Sequence, residues 1–216
     1  MRGLSPRSTC PGAILRVYPL PANRIRQAAE VLAAAFAKEP TIMRMVPPNR
    51  HKRHEKIAAY FRWSLRSTGL ENVDIAVSAA DDSVLGVALW EPPLHRAHTL
   101  KAALILPAAY MALGRRGLNE LASYERAVAP YALKFPHWYL ADIGTSPQAR
   151  GRGVGKLMID HRLRIIDAAG EHAALTATSD GSRKLYERHG FTPLHELRLV
   201  DGSVLTMMLR PPVHRP

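Results

Sequence analysis

Cysteine is nearly absent from this chain: Cys10 stands alone in 216 residues. A lone thiol rules out an intramolecular disulfide, and a chain this long can bury enough surface without one. Acidic residues are scarce too, with 18 Asp and Glu against 30 Lys and Arg, a net charge of +12. Long apolar runs are missing. The most apolar stretch, Leu100 to Leu113, is too short to span a bilayer and carries Lys101 and Pro107. Residues 1–12 hold arginines with no apolar run behind them, so no secretory signal is expected. These absences lead to the expectation of a cytoplasmic protein with no membrane partner. The excess positive charge has three readings: a solvated arginine-rich surface, a field that attracts a polyanionic ligand, or a nucleic-acid surface. The basic residues are scattered and match no nucleic-acid module, so nucleic acid is not an expected partner.

The informative stretch runs from Asp142 to Met158, Asp-Ile-Gly-Thr-Ser-Pro-Gln-Ala-Arg-Gly-Arg-Gly-Val-Gly-Lys-Leu-Met. It reads as the end of a strand, a loop with glycines at alternate positions (Gly151, Gly153, Gly155), and the start of a helix. Unpaired N–H groups and the positive dipole end of a helix make such a loop an anion site. Arg150, Arg152 and Lys156 add fixed charge, so the natural guest is a pyrophosphate. A Walker loop is excluded because Leu157 follows Lys156 where a hydroxyl should hold magnesium. A dinucleotide fingerprint is excluded because the loop lies two-thirds along the chain, with only one further helix–strand pair after it.

The pattern that fits is Arg-Gly-Arg-Gly-Val-Gly at 150–155, preceded by Thr-Ser-Pro at 145–147 and followed about 30 residues later by Tyr186-Glu-Arg-His-Gly-Phe191. Together these resemble the two signatures of the GCN5-related N-acetyltransferases, abbreviated GNAT. The resemblance implies an α/β fold with a mixed sheet splayed between two parallel strands and helices on both faces. It implies acetyl-CoA as co-substrate, bound by main-chain and side-chain groups of Ile143, Gly144, Thr145, Arg150, Gly151, Arg152, Gly153, Val154, Gly155, Lys156 and Ser182. The basic excess would then favour the phosphates of coenzyme A.

Taken in order, residues 1–12 read as a disordered arm and 13–212 as one acetyltransferase domain. Strands are expected at 13–18, 73–79, 84–90, 137–145, 172–178, 191–200 and 203–209, with a hairpin turn at Asp201-Gly202. Helices are expected at 21–37, 51–67, 153–169 and from Ser182 to His189, and two or three between 94 and 133, broken at Pro107, Gly114, Gly117 and Pro130. In the helix after the loop, Val154, Leu157, Met158, Ile165 and Ala168 are expected to share an apolar face with His161.

The likeness extends to puromycin N-acetyltransferase and its relatives through Ala34-Ala-Phe-Ala-Lys-Glu-Pro40, Asn49-Arg-His51, Val87-Ala-Leu-Trp90 and Pro136-His-Trp-Tyr-Leu140. Two departures stand out: Thr176 replaces a glutamate of that group, and Glu39 replaces an aromatic. They point to a different acceptor. Glu39, Trp90, Glu91 and His137 are the expected acceptor-side residues, and Glu39 and Glu91 would attract a cationic amine.

The resemblance places Tyr186 near the coenzyme sulfur, where its phenol, with an ordinary pKa of about 10, would protonate the leaving thiolate. A bulge at Ile143-Gly144-Thr145 would free a backbone N–H for the oxyanion. No general base stands out among His137, Glu39, Glu91 and His195. His51, His54, His95 and His98 lack an accompanying carboxylate motif, so no metal is expected. His189 is expected to be exposed at a helix end. The implied activity is acetyl transfer to a primary amine of a small molecule, an antibiotic among the candidates. A macromolecular amine (protein or aminoacyl-tRNA), a non-catalytic acyl-CoA sensor and a homodimer stay open.

Overall fold

Alternation along two hydrophobic strands divides the molecule into two cores. The computed structural model describes residues 15–49, 51–93, 98–199 and 202–213. The expected N-terminal arm with Cys10, residues 13 and 14 of the expected first strand, His95 and Asp201 lie outside them. Strand β2 (Val73–Ser78) is buried on both faces, and β3 (Val84–Glu91) nearly so. Ile75, Val77, Val87 and Leu89 point to one face; Ala76, Ala88 and Trp90 point to the other. The sheet adds β1 (Leu15–Pro19), β4 (Trp138–Thr145), β5 (Ala173–Ala177), β6 (Thr192–Arg198) and β7 (Val204–Arg210) in the order β1-β2-β3-β4-β5-β7-β6. Neighbouring strands are antiparallel except β4 and β5.

The first face is covered by α1 (Ile25–Ala35), α2 (Pro40–Met45), α3 (Arg53–Thr68) and α4 (His98–Val128). Leu32, Ile42, Ile57, Phe61 and Leu113 bring their apolar sides to that core. The second face is covered by α5 (Val154–Ala168) and α6 (Asp180–Glu187), through Met158, Ile159, Ile166 and Tyr186. Two glycines set how closely helices approach the strands. A Cβ on Gly86 would lie 2.7 Å from the Met158 methyl, and one on Gly144 would lie 2.9 Å from Ala35 Cβ.

Several expectations change. Residues 22–24 form a 3-10 turn, so α1 starts at Ile25. Helix α2 was not anticipated: Glu39 caps it by accepting from the Ile42 N–H at 2.8 Å, and Pro40 occupies the first turn, where it needs no donor. Between 98 and 128 the one break is a kink at Gly114, with φ 69 and ψ 178; Pro107 and Gly117 stay helical. Gly117 is needed for packing, since a Cβ there would meet Met45 O at 2.8 Å.

The buried stripe of α5 is Val154, Met158, Ile159, Arg162, Leu163 and Ile166, while Ile165 is 48% exposed and Ala168 faces solvent. The expected face was rotated because a charged residue lies within the stripe. Arg162 donates from Nε and Nη2 to the two oxygens of Asp74 on β2, each at 2.8 Å, and its guanidinium sits 5.4 Å from the Trp138 ring centre. The His189 side chain is only 6% exposed, with Nδ1 2.8 Å from Leu185 O and Nε2 3.2 Å from Asp160, so it is not a solvated helix end.

Candidate active site

Parallel strands β4 and β5 pair only from Trp138 to Leu140 against Ala173 to Leu175. Beyond Leu140, β4 continues to Thr145 and stays paired with β3 alone. The sheet thus opens a wedge between its two parallel strands, the splay that the resemblance implied.

An irregularity in β4 decides what faces this wedge. Leu89 pairs with Asp142 but Trp90 pairs with Leu140, leaving Ala141 as an extra residue. The expected bulge therefore lies at Ala141 rather than at 143–145, and Gly144 is accounted for by the close approach of α1. The hydrogen bonds confirm the change of phase. The Trp138 N–H donates toward β5, to His172 O at 2.8 Å, whereas the Ser146 N–H donates to Leu85 O of β3 at 2.8 Å. In a regular strand, residues an even number apart point the same way; one inserted residue reverses this. After the bulge, Ile143 and Thr145 direct their main-chain groups to the edge that β5 has left, and Gly144 directs its own toward β3. The same phase change turns Asp142 onto the α1–α4 face beside Tyr139, although the two are three residues apart in sequence.

At the end of β4 the chain enters the glycine loop. Gly151 and Gly153 hold φ of +74 and +77, a region that favours glycine, and nothing lies within 4 Å of the position a Cβ would take on either. Gly153 is the N-cap of α5, and no acidic residue occupies the first turn. The first-turn N–H groups lack intrahelical acceptors. Val154 is buried and anchors the turn. Arg150 reaches the α1 C-terminus, with Nη2 3.5 Å from Ala35 O, Arg152 is exposed, and Lys156 pairs with Asp160.

On the α1–α4 face, a cavity of about 760 Å³ lies between α3, α4 and the strands, reaching Tyr139, Asp142 and Thr176 at the wedge. Four carboxylates line it, Glu39, Glu91, Glu125 and Asp142, and no Lys or Arg does so among the described residues. The protein around the cavity pushes the Asp142 carboxyl up to about 7, with the charge of Glu39 adding to the effect. Burial likewise pushes Glu91 up to about 7, helped by Glu125 and Asp142, and Glu125 is raised by desolvation. Asp142 and Glu91, held near 7, can exchange a proton near neutral pH. The Tyr139 hydroxyl donates to Thr176 Oγ1 at 2.8 Å, linking β4 to β5 across the wedge. Burial pushes the Tyr139 phenol up to about 12.

The chain matches the Acetyltransferase (GNAT) family over residues 60–191. It belongs to the GNAT acetyltransferases. Among solved structures it is similar to one described as histone acetyltransferase HPA2 and related acetyltransferase, from Corynebacterium glutamicum. That structure shows 29% identity and a TM-score of 0.73, with 93% of this chain and 98% of the other covered. A polyamine N-acetyltransferase of Drosophila melanogaster is similar at 14% identity and a TM-score of 0.59, over 92% of this chain and all of that one. The ribosomal-protein-S18-alanine N-acetyltransferase of Escherichia coli gives 13% identity and 0.57, over 94% and 97%. These last two likenesses show the fold alone. The protein is thus an N-acetyltransferase of a family that uses acetyl-CoA as co-substrate.

In this acetyltransferase, Tyr186 lies on α6 in the second core, 6% exposed, its ring centre 6.0 Å from that of Phe191. Burial and the nearby Tyr139 and Asp142 raise its pKa, so the phenol keeps its proton at neutral pH. Ser182 closes a capping box with Ser179, its hydroxyl donating to Ser179 O at 2.8 Å. Glu39, Glu91 and His137 line the cavity. Trp90 does not: it is fully buried on the α5 face. His195 lies exposed on β6, its ring tilted at 53° to that of Tyr131 with centres 5.7 Å apart. Sequence reasoning missed Asp142, Glu125, Tyr124 and Tyr139 as site residues. The available signal for Asp142 was a lone carboxylate inside an apolar strand.

Proposed function

We propose that this enzyme transfers the acetyl group of acetyl-CoA directly to a primary amine of a small molecule, within a ternary complex formed in one domain spanning residues 13–212. The observation that carries this reading is the acid-lined cavity that meets the wedge between β4 and β5 at Asp142. A macromolecular acceptor such as aminoacyl-tRNA would call for an open basic groove, and no described residue of the lining is Lys or Arg.

Acetyl-CoA supplies the acetyl carbon and a thiolate leaving group. The loop residues Gly151 to Lys156 hold its pyrophosphate through first-turn N–H groups, with Arg150 and Arg152 adding charge. The open β4 edge at Ile143 and Thr145 pairs with the pantetheine arm and offers an N–H to the oxyanion. Ser182 borders this path at the start of α6. Asp142, with a pKa near 7, takes the proton from the incoming ammonium, because nitrogen attacks only with its lone pair free. As the C–N bond forms and the C–S bond breaks, Tyr186 gives its phenolic proton to the sulfur. The remaining excess N–H proton returns to the phenolate. Products are the amide, free thiol and one proton.

The experiment is acetyl-CoA-dependent thiol release with a panel of amines: puromycin, an aminoglycoside, polyamines, arylalkylamines, amino acids and a lysine peptide. Turnover of a small amine, lost in Asp142→Asn, is the expected result. Binding of acetyl-CoA without release for any of them would sink the small-amine reading and favour a sensor or a macromolecular acceptor.

A further inference from the structure

The walls of the cavity specify more than a single amine. The chain carries net charge +12, yet this cavity gathers four of its carboxylates and no described Lys or Arg. The reacting nitrogen cannot be the counter-ion for all of them, since it must be neutral when it attacks. One carboxylate suffices to take its proton, and Asp142 is placed at the wedge for that purpose. Glu39 is engaged in capping α2, and Glu125, on α4, is then left facing a neutral nucleophile. Carboxylates gathered in one cavity, where Glu125 and Asp142 oppose ionisation of Glu91 and Glu39 opposes that of Asp142, are a standing cost unless the ligand brings charge of its own.

The cavity also has an aromatic wall. Tyr60 and Trp63 on α3 lie with ring centres 5.6 Å apart, and Tyr124 on α4 lines the same cavity next to Glu125. Aromatic faces flanked by carboxylates suit a cationic head that has left bulk water. Asp142 and Glu125 line the cavity from different elements, one on β4 and one on α4. Tyr186, near the reacting sulfur in the mechanism above, is influenced by Asp142, consistent with Asp142 marking the reactive end.

We infer that the acceptor is a small aliphatic dication: a primary amine acetylated beside Asp142, joined by an apolar spacer to a second ammonium or guanidinium held by Glu125 and the Tyr60–Trp63–Tyr124 wall. The inference rests on the acetyl-transfer reading above and narrows its substrate class.

The test pairs ligands of equal length. Putrescine, cadaverine and agmatine are compared with n-butylamine and n-pentylamine in the thiol-release assay, on the wild type and on Glu125→Gln. A dication should exceed its matched monoamine in kcat/KM by about tenfold or more, the scale of one cation–π contact plus a charge-assisted hydrogen bond. Glu125→Gln should reduce that preference several-fold. Equal kcat/KM for the matched pair overturns the inference, as does a folded Glu125→Gln enzyme that keeps the full preference. Turnover of arylalkyl monoamines or peptides alone also overturns it while leaving acetyl transfer intact. No thiol release with any amine, despite acetyl-CoA binding, removes both. Should Glu125→Gln fail to fold, the wild-type comparison decides by itself.

Discussion

The two faces of the sheet use different materials for one reaction. On the α5 face, the candidate coenzyme site is built from main-chain atoms of one contiguous segment, Ile143 to Lys156, shaped by glycines at positive φ. On the α1–α4 face, the candidate acceptor cavity is built from side chains of α2, α3, β3, α4 and β4, residues separated by more than 100 positions. The first kind of site depends on local conformation and is insensitive to most side-chain changes. The second depends on where distant elements pack, so its lining is sensitive to single side chains.

The largest effect that would break this contrast belongs to the cavity face. Asp142→Asn should lower kcat by about 100-fold or more, the usual scale for losing a general base. Wild-type kcat/KM should rise with pH through about 7 and flatten above it, as Asp142 ionises. A variant that keeps full turnover and the same pH limb would move the base elsewhere, with Glu91 next.

On the α5 face the largest effect is structural. Arg162→Met strips Asp74 of its buried partner and should cost about 3–5 kcal/mol in denaturant unfolding. Adding Asp74→Leu should restore much of this, because the uncompensated charge is gone. An unchanged midpoint in the single variant would mean that the pair is not closed in solution.

Gly153→Asp tests the loop. It places a side chain at φ +77 and a negative charge where the pyrophosphate would lie, so the Kd for acetyl-CoA should rise about tenfold or more. Unchanged affinity by titration calorimetry would remove the loop from the coenzyme site. Smaller still is Gly117→Ala, whose Cβ meets Met45 O at 2.8 Å and should cost about 1–3 kcal/mol while leaving acetyl-CoA affinity in place.

The smallest effect concerns stability and pH. Asp142 and Glu91 have folded pKa values near 7, above their unfolded values near 4, so the folded state binds more protons between these limits. Their contribution to stability is complete below about pH 4 and is lost as pH rises through 7. Asp142→Asn should therefore raise Tm by a few degrees at pH 8 and by less at pH 5, measured by calorimetry. An equal shift at both pH values would show that Asp142 does not titrate differently on folding.

Much of the α5 face was legible in the chain. The order strand, glycine loop, helix and the later Tyr186–Phe191 block led to the family and its fold. Legibility failed where a polar residue serves a tertiary purpose. Arg162 broke the apolar stripe of α5 because its charge is neutralised by Asp74, 88 positions away. Helix α2 was lost between Pro40 and the prolines at 47 and 48 because six residues carry too little periodicity, and its cap, Glu39, was taken for an acceptor residue alone. Trp90 was assigned to the acceptor side although strand alternation puts it opposite Glu91, which does line the cavity.

What the sequence determined by itself is whatever depends on neighbours in the chain: a loop of alternate glycines, an acid-free helix start and a chain order that matches one fold. Left-handed backbone and unpaired N–H groups are local properties, so residue types suffice to announce them. What only the tertiary structure decided is which side chains meet. One extra residue at Ala141 reverses the facing of β4, turning Asp142 into the cavity and the main chain of Ile143 and Thr145 toward the open wedge. A strand's side-chain period is two, and a single insertion shifts everything after it. No composition or spacing carries that parity; it is fixed by pairing with β3.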